Sequence, residues 1–121
     1  INLKSFYEYV KNLPYIDYGA TEVVKRQKYT LKEGGDCDQK AILIASYFKI
    51  FHPEVEQFFK AIMPKNSNLT WYSHVYNQVC WPQNNAMGGL DKRNFPLDAT
   101  YKWNKYGKEI AYKDFKLFPV E

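Results

Sequence analysis

The chain has 121 residues, 45% hydrophobic and 18% aromatic, with 17 basic against 13 acidic residues and a formal net charge of +4. That length holds one domain, residues 1–121, with enough apolar material for an ordinary core. The positive charges are scattered, no zinc-finger or RNA-recognition pattern is present, and no apolar run is long enough to cross a bilayer, so neither nucleic acid nor membrane is an expected partner.

Leu3, Phe6, Tyr7 and Val10 recur at helical spacing and stop before Leu13-Pro14, predicting a first amphipathic helix. The mixed stretch from Tyr15 to Glu33 reads as a long loop with a short helical turn around Glu22 to Lys28. Gly34-Gly35-Asp36-Cys37-Asp38-Gln39 then opens a second helix. Asp36 reads as its N-cap, Gln39 as the capping-box partner three residues on, and Cys37 as the first helical residue. This helix is expected to run to about Ile50, ahead of Pro53, with Ala41, Ile44, Ala45 and Phe48 facing a sheet. Strands are predicted at Val55–Met63, Tyr72–Trp81 and Phe95–Tyr101, separated by turn-rich segments at 64–68 and 82–89. The tail from Trp103 to Glu121 alternates aromatic and charged residues and is expected to add an edge strand or to dock on a neighbouring domain. Helices first and antiparallel strands after make an α+β layout with a cleft between the layers.

The start of the second helix is where chemistry is expected. The leading N–H groups of a helix have no intrahelical partner and favour a negative species, and a thiolate is one. A lone cysteine is more often a small buried hydrophobe, but that role does not call for a Gly-Gly-Asp lead-in or a helix start. Asp38 competes for the same positive potential and is expected to point outward. His74 lies in a run rich in aromatic and β-branched residues, from which an imidazole can reach a helix packed across the strand. Asp98, after Pro96-Leu97, can hold that imidazole in one tautomer. Asp91 is a competitor in what reads as a solvated loop, and His52, beside Pro53, reads as a loop residue. Cys80 reads as a structural thiol. Two cysteines and two histidines at these spacings make no usual zinc site, so no metal or cofactor is expected and both thiols are expected to be free.

The segments Tyr29–Ala41, His74–Val79 and Leu97–Thr100 together resemble the transglutaminase-like superfamily of papain-fold cysteine enzymes, over roughly residues 18 to 103. The resemblance implies a nucleophile helix packed on a small antiparallel sheet. It also implies a catalytic triad of Cys37 as nucleophile, His74 as base and Asp98 as orienter. Relatives supply a second oxyanion donor from a Trp, Gln or Tyr upstream of the cysteine, for which Gln27 and Tyr18 are the candidates. The chain departs from the family pattern at Gln39, often acidic, and at Ala99, commonly proline. The activity implied is acyl transfer from peptide or side-chain amides through a thioester on Cys37. Hydrolysis, as in a cysteine protease or amidase, is favoured over transamidation, because the likeness is to the small microbial members and no acidic cluster suggests calcium control. A peptide or protein is the expected partner. The alternative is a non-catalytic structural or binding module of a phage or bacterial assembly. The first residue is Ile1 and no signal-peptide pattern is present, which gives the expectation of a domain processed or excised from a longer protein in a cytoplasmic or virion-associated setting.

Overall fold

A computed structural model describes residues 2–15, 36–65, 68, 71–84 and 90–120. Within them the chain is α+β, two helices followed by four antiparallel strands: α1 Leu3–Asn12, α2 Cys37–Phe51, β1 Glu56–Pro64, β2 His74–Asn84, β3 Leu90–Leu97 and β4 Tyr112–Pro119. The sheet runs β3-β2-β1-β4. No helix among the described residues is long and apolar enough to cross a membrane.

α1 begins where the Asn2 side chain accepts a hydrogen bond from the Ser5 N–H at 2.8 Å. It ends at Leu13, whose extended backbone is what a following proline imposes. α2 buries the expected stripe of Ala41, Ile44, Ala45 and Phe48, and also Leu43 and Tyr47. The additional burial comes from α1, whose Phe6 ring stacks on Tyr47 at 5.2 Å between centroids. Two side-chain amides fasten the other side of α2 to the sheet: Asn77 Nδ2 donates to the Ala41 carbonyl at 2.9 Å and Gln57 Nε2 to the Ala45 carbonyl at 3.3 Å, one helical turn apart. Tyr7, Val10, Ile44, Phe48, Val79 and Leu97 close the core between the two helices and the sheet.

The strands differ from expectation in three places, each with a local cause. β3 starts at Leu90 and ends at Leu97, so Asp91 is paired in the ladder opposite Gln83 and the stretch read as a solvated loop is strand. The expected strand Phe95–Tyr101 stops short because the Asp98 carbonyl is taken by the Tyr7 hydroxyl at 2.8 Å and by Asn104 Nδ2 at 2.9 Å instead of by a strand partner. β2 runs on to Asn84 through Pro82, which reads as a turn residue. Its pairing with β1 ends at Cys80, so among the described residues the stretch that follows has β3 as its only neighbour and the lost N–H of proline is tolerated. The tail forms β4, pairing with β1 from Phe58↔Pro119 to Pro64↔Tyr112 as the edge strand. The turn expected around Glu22 to Lys28 lies outside the described residues.

Candidate active site

Cys37 is the first residue of α2, and the capping box that places it there is complete. The Asp36 carboxylate accepts from the Gln39 N–H at 3.1 Å, and the Gln39 side chain accepts from the Asp36 N–H at 3.0 Å. The Cys37 N–H is therefore one of the helix's unpartnered leading donors. The thiol is half-buried and free. Asp38 is exposed, as expected, but its carboxylate does not turn wholly away: Oδ1 lies 3.9 Å from the Cys37 sulfur.

His74 opens β2 and is buried, and its Nε2 lies 2.8 Å from the Asp98 Oδ2. Asp98 is fully buried directly after β3. The ladder between β2 and β3 ends at Asn77↔Leu97, so the flank of His74 is open to the chain that turns in beyond Leu97, and that turn delivers the carboxylate. Thr100 N–H donates to Asp98 Oδ1 at 3.3 Å, leaving Oδ2 for the imidazole. Burial pushes the His74 imidazole down, yet the hydrogen bond to Asp98, the nearby Cys37 sulfur and the Asp98 charge lift it to about 9. The structure thus brings His74 and Asp98 together as a hydrogen-bonded pair, with Cys37 close enough to influence the charge of the ring.

The ring is also held by aromatic packing. Tyr101 stacks on it at 5.7 Å and 19°, and Tyr76 lies at 5.5 Å and 34°. Tyr76 donates to Glu109, which also accepts from Lys60 Nζ at 3.1 Å, so the residue beneath the imidazole is fixed by an ion pair of its own.

Of the other sequence candidates, His52 caps the C-terminus of α2 and packs on Tyr47 and Phe48. Cys80 is a half-buried free thiol in β2, paired with Glu56 and Asn94. Gln27 and Tyr18, the oxyanion candidates, lie outside the described residues. No group of three or more His, Cys, Asp or Glu among the described residues is arranged to hold a metal ion. One residue at the site escaped the sequence reading. Lys40, one turn after Cys37, is 1% exposed, and its ammonium donates to the carbonyls of Leu13 at 2.8 Å, Thr100 at 3.0 Å and Lys11 at 3.3 Å. Burial and then the Lys102 charge lower Lys40 to about 8, with Asp98 pulling the other way. A lysine spaced three from Cys37 and four from Ile44, in a helix otherwise apolar on that side, was the signal available.

These two groups set how stability depends on pH. His74 is held above its ordinary 6.5, so its contribution is complete below that value and fades as pH rises through about 9. Lys40 is held below its ordinary 10.5, so the cost of keeping it charged in the fold lifts above about 8. Urea unfolding is expected to show stability falling by about 1 kcal/mol per pH unit between pH 6.5 and 8, with the slope flattening above 8 where the two effects oppose. In His74→Gln the fall below pH 8 should vanish; a fall of the same steepness in that variant would remove His74 as its source.

Compared with known proteins, the chain matches no protein-family model, no curated protein and no solved structure.

Proposed function

We propose that the chain is a transglutaminase-like cysteine enzyme with a papain-like core, hydrolysing peptide or side-chain amides through a thioester on Cys37. The observation that carries this reading is the buried His74 imidazole paired with the Asp98 carboxylate at 2.8 Å, with the Cys37 sulfur at the α2 start close enough to favour the charged ring. The α+β layout, with the cysteine helix packed on an antiparallel sheet, supports it.

The reactive form pairs a Cys37 thiolate with the imidazolium that His74 holds at neutral pH. The sulfur attacks the amide carbon, forming a C–S bond as the carbonyl electrons move to oxygen. The Cys37 N–H, freed by its place at the head of α2, donates to that oxyanion, an interaction typically worth about 3 kcal/mol of barrier. His74 gives its proton to the leaving amine as the C–N bond breaks. Water then attacks the thioester, giving its proton to His74, and the sulfur departs as thiolate. Asp98 keeps the ring turned and its charged form stable throughout.

The test is the rate of alkylation by iodoacetamide, resolved by mass spectrometry for each thiol across pH 5 to 10. Cys37 is expected to react faster than Cys80 well below pH 8, to slow markedly in His74→Ala, and to be the residue whose replacement by alanine abolishes cleavage of a peptide library. Equal and slow labelling of both thiols would instead favour the non-catalytic structural module.

A further inference from the structure

Beside the nucleophile, on the side of α2 that faces β1 and β4, lies an open cavity of about 240 Å³ lined by Asp38, Ala41, Ile42, Phe59, Val75 and Phe118. Its walls are carbon almost throughout, and its one charged member stands next to the thiol: the Asp38 carboxylate lies 3.9 Å from the Cys37 sulfur. Asp38 directly follows Cys37 in α2, so the residue after the nucleophile is part of this wall, while Val75 reaches it from the sheet face opposite to that of the His74 side chain. Ile42 and Phe118, 41% and 51% exposed, form a mouth open to solvent.

We propose that this cavity is the specificity subsite of the enzyme, receiving one bulky apolar side chain, aliphatic or aromatic, of a peptide substrate whose scissile amide is presented to Cys37. The proposal rests on the reading of Cys37 as an acylating thiol and adds the class of residue that directs it. Size decides the occupant. Clefts that take whole drug-sized ligands run to roughly 300–1,000 Å³, and a cavity below that range is matched to a single side chain. Charge decides its character. An apolar group entering the cavity leaves water without losing a hydrogen bond, whereas a carboxylate would be desolvated beside Asp38. The walls come from a helix and three adjoining strands, two of them fastened to that helix by the Asn77 and Gln57 amides, which gives the subsite a fixed shape relative to the thiol.

The experiment uses the full chain with three small electrophiles: chloroacetamide, N-isobutylchloroacetamide and N-benzylchloroacetamide. In each the sulfur displaces chloride at the carbon next to the carbonyl, forming a C–S bond and releasing chloride ion. The rate at Cys37, divided by the rate at Cys80 in the same sample, removes the intrinsic reactivity of each reagent. The isobutyl and benzyl reagents are expected to favour Cys37 by about tenfold over the unsubstituted one, the discrimination that a filled apolar pocket ordinarily gives. In Ile42→Asp and in Phe118→Ala, both at exposed positions, that preference should collapse toward one. A flat series at a Cys37 that still reacts faster than Cys80 overturns the subsite and leaves the enzymatic reading standing, as does a preference unchanged in both variants. A Cys37 no more reactive than Cys80 toward all three overturns both.

Discussion

Replacing Asp98 with asparagine is expected to slow amide turnover by about 10³- to 10⁴-fold, the scale seen when the orienting carboxylate of a nucleophile–histidine pair is made neutral, and to slow alkylation of Cys37 at neutral pH in the same sense. The side chains have nearly the same shape, so Oδ1 can still accept from the Thr100 N–H. What is lost is the charge facing His74 Nε2 at 2.8 Å. Burial opposes the charged imidazole more strongly than any other single influence, and Asp98 supplies the foremost of those that offset it. His74 in the variant should therefore titrate well below about 9, and the imidazolium that supports attack by the Cys37 sulfur should become scarce near neutral pH. An NMR titration of the imidazole C–H resonances reads the first effect, and the pH profile of Cys37 alkylation reads the second. A His74 midpoint unchanged by the substitution would show that the carboxylate does not set the charge of the ring, and the triad would lose its third member.

Lys40→Met is expected to cost about 1–3 kcal/mol of folding stability, measured by urea unfolding at pH 7, the unpaired carbonyls outweighing the relief of no longer burying a charge. Methionine keeps the apolar stem of the side chain and removes the ammonium, leaving the buried Leu13 and Thr100 carbonyls without the donor that reaches them at 2.8 Å and 3.0 Å. A buried acceptor left unpaired costs roughly 1–3 kcal/mol. The ammonium also joins the nucleophile helix both to the end of α1 and to the turn that carries Asp98. The surviving folded fraction of Lys40→Met should accordingly label Cys37 more slowly than the wild type. A loss of less than about 1 kcal/mol would mean that the three carbonyls find other partners and that the lysine is incidental.

The sequence made α2 legible because three independent signals agreed there: the capping box at Asp36 and Gln39, the apolar stripe from Ala41 to Phe48, and Pro53 beyond its end. His74 and Asp98 could be placed near each other only through the family resemblance, since nothing in the local pattern around Asp98 says that its chain leaves the ladder. The strand pattern of Phe95 to Tyr101 is genuine, but Tyr7, far away in sequence, and Asn104 take the Asp98 carbonyl, and a local window contains neither the helix nor the loop that supplies them. Pro82 misled in the opposite direction. It breaks strands that are paired on both sides, and only the register shows that β2 has a single neighbour there. Lys40 was passed over because a lysine is almost always at a surface, and its burial depends on three carbonyls converging from two other segments.

The Tyr7 hydroxyl, 91 residues from the carbonyl of Asp98 that accepts it, makes the first helix a strut of the candidate site. A protease that nicked the chain just after Asn12 would leave every reacting atom in place on its own segment and still disarm the molecule, because the carboxylate's turn would lose its brace and the buried lysine its footing. The proposed reactivity would thereby be tied to an intact N-terminal segment that contributes no atom to the chemistry.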